Sequence, residues 1–141
     1  MKHHTKDKGD KGVGFIIADL LKNGIQVAIP ISEHLPFDLI AISKSGQLNK
    51  LSVKYKAMKN GRIEIPLKSS WSNKKGVHIK KSNKKIFDST AIYCPDNEKC
   101  YYINNNEIGY NISLRILKPK KKCKTIKYAK NYINPERIFN R

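Results

Sequence analysis

The chain has 141 residues, a length that suits one domain with a modest core. Its 29 Lys plus Arg against 11 Asp plus Glu leave a formal charge of +18, which points to a polyanionic partner, with nucleic acid ahead of an anionic membrane. No apolar run nears the ~18 residues that span a bilayer, and the opening MKHHTKDKGDKG has no apolar stretch of the signal-peptide kind, so an intracellular place is expected: cytoplasm or nucleoid, or a nucleus if the host has one.

Part of the positive charge is compositional. Lys (25), Ile (19) and Asn (13) together make 57 of 141 residues, the bias of AT-rich codons. The three cysteines, Cys94, Cys100 and Cys123, cannot all pair within the chain, which suits reduced thiols. Cys94 and Cys100 flank the turn PDNEK and are placed either to face each other across a hairpin or to serve as ordinary strand residues. A zinc set built from the cysteines and His78 has no recognised spacing.

In chain order, residues 1–9 read as a basic flexible or DNA-touching arm. Asp10 then stands as the N-cap of a helix of about three turns, with Phe15, Ile16, Ala18, Leu20 and Leu21 in its body and Asn23-Gly24 as the stop. Residues 25–31 are β-rich and bounded by proline, and 37–42 form a second strand. Lys44-Ser45-Gly46-Gln47 is a turn, and 48–58 alternate as a third strand. Lys59-Asn60-Gly61 is a tight hairpin signal that sends 62–65 back as a fourth strand. Residues 68–85 break the pattern as a long basic excursion with one aromatic, Trp71. Strands resume at 86–93, around 100–103 and at 112–116. The lysine-rich 118–124 precede a segment, 128–132, of helical character. No internal repeat is visible. The order is helix, antiparallel strands, helix: an α+β chain, or α/β on a mixed sheet.

One constellation can carry chemistry. If the turn centres on Ser45-Gly46, Asp38 lies opposite Val53 or Lys54. That sets a carboxylate beside an ammonium at the end of a sheet. Phosphodiester hydrolysis uses such a pair, the carboxylate holding a divalent cation and the lysine steadying the attacking water or the developing charge. The same arrangement is also that of a solvent-facing ion pair.

At this point the chain resembles a known family. Gly9-Asp10-Lys11-Gly12 before a helix, then EHLPFDLIA (33–41), then Val53-Lys54-Tyr55 and SSWSNKKGVH (69–78) look like the PD-(D/E)XK nuclease superfamily. Its small endonuclease domains, which include intron-encoded homing endonucleases, are the closest subgroup. The resemblance covers roughly residues 8–132. It implies a restriction-endonuclease-like core: helix, three-stranded antiparallel meander, helix and final strand on a mixed sheet, spanning 10–132 between the arm and a tail at 133–141. It implies Mg²⁺ or Mn²⁺ as cofactor, Asp38 as metal-binding carboxylate, Lys54 as motif lysine, and the Val53 backbone carbonyl as a further metal ligand.

Two positions depart from that pattern. The residue two before the lysine is Ser52 where the family has Glu or Gln, and the first-helix Glu falls on Val13. A hydroxyl is a poor ligand for Mg²⁺, and valine is none. Asp10, one turn before Val13 on the same helix face, is a substitute metal ligand as well as a cap. Glu33 is another stand-in, while Glu64 reads as a surface strand residue. His34 reads as a turn residue, and Tyr55, Tyr93, Tyr101 and Tyr102 as sheet residues.

Lys56, Lys68, Ser70, Lys74, Lys75, His78, Lys80 and Lys81, with Lys120, Lys121 and Lys122, have the character of a phosphate-contacting surface. Trp71 offers either a ring for base stacking or a core plug. The expected function is a metal-dependent endonuclease acting on double-stranded DNA as a homodimer or higher assembly, weakened at its metal site. The alternative is a non-catalytic DNA-binding module on the same fold.

Overall fold

The computed structural model describes residues 4–66, 68–73, 76–81, 86–109, 111–121 and 123–139, with 68–73 and 76–81 as backbone. It opens with helix α1 (His4–Lys22). Apolar positions Val13, Ile16, Ile17 and Leu20 follow the i, i+3, i+4, i+7 spacing of one helix face, and Ile16 and Leu20 are fully buried. Gly9, Gly12 and Gly14 weaken the helix intrinsically, each by about 1 kcal/mol against alanine, so packing holds it. Gly12 is buried, and a Cβ built there would stand 3.5 Å from the Tyr55 Cβ. The helix begins at His4, upstream of the expected cap. Asp10 is therefore an interior helical residue, and residues 4–9 are helical where an arm was expected. The stop falls where the sequence put it: Gly24 takes φ +77°, and the Leu20 carbonyl accepts from both the Asn23 and Ile25 N–H groups, a glycine-ended helix terminus.

Strands β1 (Gln26–Ala28), β2 (Leu39–Ile42), β3 (Leu48–Tyr55), β7 (Ser89–Cys94) and β8 (Lys99–Asn104) form a five-stranded sheet in the order β1-β2-β3-β7-β8. The expected antiparallel meander is β1-β2-β3. β7 then joins β3 in parallel, and β8 returns antiparallel. No α-helix other than α1 occurs among the described residues, so the helix the resemblance implied between β3 and β7 is not found among them. The crossover carries strands: β4 (Arg62–Pro66) and the hairpin β5 (Lys68–Asn73) with β6 (Gly76–Lys81). The basic excursion expected as a loop is thus a two-stranded sheet of its own, registered from Lys68↔Lys81 to Asn73↔Gly76.

The Asn60-Gly61 turn does form, with φ +54° and +76°, the two left-handed residues that a tight hairpin needs. Its hairpin closes on a single bridge, Lys59↔Arg62. Both edges of β3 are already taken by β2 and β7, so β4 leaves and pairs with β9 (Asn111–Arg115), which β10 (Lys127–Tyr128) flanks in parallel.

Two apolar clusters fill the faces of the large sheet. Ile16 and Leu20 of α1 meet Leu39, Ala41, Leu51, Ala91 and Tyr102 on one side. Ile63, Ile65, Ile112 and Leu114 of β4 and β9 meet Ile92, Cys94, Tyr101 and Ile103 on the other. β4 and β9 alternate exposed and buried, whereas every residue of β7 is buried, as a central strand covered on both faces must be. Cys94 pairs with Lys99 and Cys100 with Tyr93. The two cysteines therefore fall on opposite faces of the hairpin, one register step from facing each other, and both are free thiols. The chain closes in short 3₁₀ turns at Ala129–Tyr132 and Pro135–Phe139. The expected tail packs inward. Ile138 is 1% exposed, and its carbonyl accepts from the Asn49 and Asn104 side-chain amides at 3.0 Å each.

Helix and sheet are also joined by polar chemistry. The Tyr102 hydroxyl donates to Asp19 Oδ2 at 2.6 Å, and burial, with the carboxylate beside it, pushes the phenol pKa up. Tyr102→Phe removes a hydrogen bond to a charged acceptor, a loss of about 1.5–3 kcal/mol. A drop of that size in urea unfolding, with an unchanged m-value, is the expected result.

Candidate active site

The residues that follow β1 decide the site. Pro30 and Pro36 interrupt the backbone ladder, and Pro36 holds its predecessor extended. Chain 29–37 therefore bulges away, and β2 starts at Leu39. Asp38 is left at the mouth of the meander. Its N–H donates to the Leu51 carbonyl at 2.8 Å, and its Oδ2 accepts the Val53 N–H at 2.7 Å. The carboxylate is thus fixed by the backbone of β3, with Oδ1 left over.

The β2–β3 register differs from the expected one. Ser43 to Gln47 form a five-residue loop, closed by the Ser43 N–H to the Gln47 carbonyl, in which Gly46 takes φ +87°. The centre is Ser45, and paired numbers sum to 90, as in Leu39↔Leu51. The paired strand ends at Leu39↔Leu51; past it Asp38 bonds the backbone on both sides of Ser52, through the Leu51 carbonyl and the Val53 N–H. Lys54 sits two residues further along β3, half-buried and level with Ile92 of β7. Among the described residues its ammonium makes no ion pair, with Asp38 or with any other acid.

Asp38 opens onto a cleft of about 520 Å³ whose walls include Lys6, Asp10 and Val13 of α1, and Glu33 and Phe37 of the loop before β2. The two departures from the family pattern thus have different surroundings. Val13 lines the cleft, where a longer acidic side chain would enter it. Ser52 is 8% exposed and stands on β3, linked to the cleft through the Asp38–Val53 hydrogen bond. Asp10 and Glu33, the two stand-in carboxylates, both reach the cleft. Lys6, hidden in the presumed arm, belongs here too. Its spacing to Asp10 and Val13 (i, i+4, i+7) was the signal that one helix face carries all three.

The electrostatics are local and inverted. In a chain of net charge +18, the charged lining of this cleft is three carboxylates and one lysine. The donor set is hard oxygen, of the kind Mg²⁺ and Mn²⁺ take. It is also dispersed: among the described residues, no three His, Cys, Asp or Glu side chains lie close enough to share an ion. The residues suit the chemistry of a divalent cation but supply one well-fixed ligand, Asp38, with two more on the facing walls.

The other predicted residues divide by location. Lys56 is half-buried just past β3, its N–H on the Tyr93 carbonyl at 2.9 Å. Lys68, Ser70, Trp71, His78, Lys80 and Lys81 lie on the β5–β6 hairpin, where Trp71 pairs with His78 in register. Lys120 and Lys121 are exposed. Lys74, Lys75 and Lys122 fall outside the described residues.

A helix against an antiparallel meander, a strand added in parallel, and an acidic cleft at the meander's end with a strand lysine nearby define a nuclease-type α/β fold. The chain belongs to the PD-(D/E)XK endonuclease family, which it matches over residues 3–134. It is also similar in structure to a bacterial homing endonuclease, I-Ssp6803I, with a TM-score of 0.70 and 22% identity over 92% of this chain and 88% of that one. No curated protein matches the chain. Among the described residues, no helix is long and apolar enough to cross a membrane.

Proposed function

We propose that this endonuclease cuts double-stranded DNA with a divalent metal, at a metal site poorer in ligands than the family pattern. The observation that carries the reading is the acidic cleft at Asp38 within a strongly basic chain. Asp38, with Asp10 or Glu33 from the facing walls and the Val53 carbonyl, would hold Mg²⁺ or Mn²⁺. When bound, such an ion neutralises charge on the scissile phosphate and acidifies a water. Asp38 is oriented by the Val53 N–H. Lys54 supplies positive charge that balances the developing phosphorane. The lysine-rich stretches 68–85 and 118–124 supply phosphate contacts to the DNA backbone. One site per chain and two strands to cut favour a two-fold dimer, matched to the symmetry of the duplex.

A second reading has its own support. Val13 offers no metal ligand and Ser52 a poor one, and among the described residues the acids of the cleft are not clustered, which suits a DNA-binding module that has lost cleavage. Incubation of the protein with long duplex DNA in Mg²⁺ and, separately, in Mn²⁺ separates the two. Nicked or linear product in either supports the nuclease. Intact DNA in both, at protein concentrations that shift it fully in a gel, supports the binding module.

Binding itself is expected to be electrostatic under both readings. With 6–10 phosphates engaged, affinity falls by about three decades or more between 50 and 200 mM salt. Fluorescence anisotropy across that range measures it, and a flat response would remove nucleic acid as the partner.

A further inference from the structure

A second concave site lies far from Asp38. It is a cleft of about 430 Å³ between the start of β8, the β9 exit and the 3₁₀ turn Ala129–Tyr132, walled by Lys99, Arg115, Lys118 and Lys130 with Tyr101 and Tyr128. Four cations converge and no carboxylate is among the walls. Arg62 and Arg137 pair with Glu64 and Glu107 at 2.8 Å. Arg115 pairs with no acid among the described residues. Its guanidinium is instead fixed by backbone carbonyls, Nε on Leu117 at 2.9 Å and Nη1 on Asn60 at 3.1 Å, which leaves Nη2 to donate elsewhere. The Asn97 amide donates to the Tyr101 hydroxyl at 2.8 Å, so the phenol proton is free for a further acceptor. Burial pushes that hydroxyl's pKa up, which keeps the proton in place. Lys130 Nζ lies 5.6 Å from the centre of the Tyr128 ring, so one cation is already poised on an aromatic face.

Oriented donors, uncompensated positive charge and concavity together fit an oxyanion with several acceptor oxygens. We propose that this cleft seats a phosphate group, and that in the working protein the phosphate belongs to the DNA backbone away from the cleavage point. The second clause rests on the endonuclease reading. Strand spacing makes the arrangement plausible in scale. β8 is three strands from β2 in the sheet, about 14 Å at ~4.8 Å per strand, which is a few nucleotides along a duplex. The Asn60-Gly61 turn thereby gains a role beyond connecting strands, because its carbonyl aims Arg115.

The test compares two pairs of charge removals in the full chain. K118Q/K130Q removes two walls of the cleft and leaves Arg115, with its structural contacts, in place. K22Q/K44Q removes the same charge elsewhere. Each lost phosphate contact lowers the slope of log affinity against log salt by about 0.9. Both lysines face the same phosphate, so K118Q/K130Q is expected to reduce the slope on duplex DNA by about 0.9, and K22Q/K44Q to leave it near wild type. Equal slopes for wild type and K118Q/K130Q would overturn a DNA phosphate at this site. A second arm titrates inorganic phosphate and follows the Arg115 side-chain Nε–H resonance by NMR. If the wild type fails to bind DNA but phosphate moves this resonance, less so in K118Q/K130Q, the anion site stands, its source is free phosphate, and the nuclease reading falls. If phosphate leaves the resonance unmoved and the slopes are equal, the site itself is wrong.

Discussion

Asp38→Asn is expected to reduce cleavage by a hundredfold or more and to leave DNA affinity within a few fold of wild type. The substitution is chosen for what it keeps. Asp38 Oδ2 accepts the Val53 N–H at 2.7 Å, and an asparagine can turn its carbonyl oxygen to the same donor, so the mouth of the meander stays closed. Alanine would leave the Val53 N–H without that partner, at a cost of about 1–3 kcal/mol, and would confuse folding with chemistry. What asparagine removes is the charge that attracts a cation into the cleft. A hundredfold loss corresponds to ~2.7 kcal/mol of barrier. Affinity should hold because the phosphate contacts come from lysines elsewhere. Cleavage by Asp38→Asn at the wild-type rate, measured on supercoiled plasmid, would place the active site away from this cleft.

The parts of the fold that were legible in the sequence are those governed by local chemistry. Gly24, Gly46 and Asn60-Gly61 stop and turn the chain where their left-handed conformations are needed, and the alternation of β4 and β9 marks two strands with one buried face. The parts that were not legible depend on competition between distant partners. Asn60-Gly61 makes a correct hairpin turn, yet nothing nearby in sequence says that β7 already occupies the edge β4 would take. Cys94 and Cys100 are separated by a one-residue difference in register, which turn composition alone does not settle. Asp10 has the look of a helix cap because Gly9 precedes it and Gly12 and Gly14 follow. Only the packing of Gly12 on Tyr55 shows why the helix tolerates them and continues upstream. In the site, Asp38 and the Asp10–Val13 face were readable from spacing. The gathering of Glu33 and Lys6 was not, because it depends on the path of the proline-bounded loop and on a helix longer than its cap suggested.

The gain expected from restoring ligands follows from those same surroundings, and it differs between the two positions. Val13 lines the cleft with Asp10 and Asp38, so Val13→Glu brings a carboxylate to a wall that has room for it. Ser52 stands between Leu51 and Val53, the two residues that hydrogen-bond Asp38, and is nearly buried, so Ser52→Gln must push its extra atoms against neighbours, an overpacking of about 1–3 kcal/mol. The double variant should therefore melt several degrees below wild type without metal, partly through repulsion among the added and resident acids. Mg²⁺ should reverse this. A cation bound by the native state at a hundredfold excess over its Kd stabilises by about 2.7 kcal/mol, so the melting temperature of V13E/S52Q should rise with Mg²⁺ more steeply than that of wild type. Cleavage should rise tenfold or more, ~1.4 kcal/mol of barrier. A fast wild type joined to an unimproved double variant would mean that Val13 and Ser52 are not the vacated ligand positions. A double variant that gains Mg²⁺-dependent stability yet, like the wild type, leaves DNA uncut while binding it would show that ligands alone do not make this cleft a nuclease, and the binding-module reading would then hold.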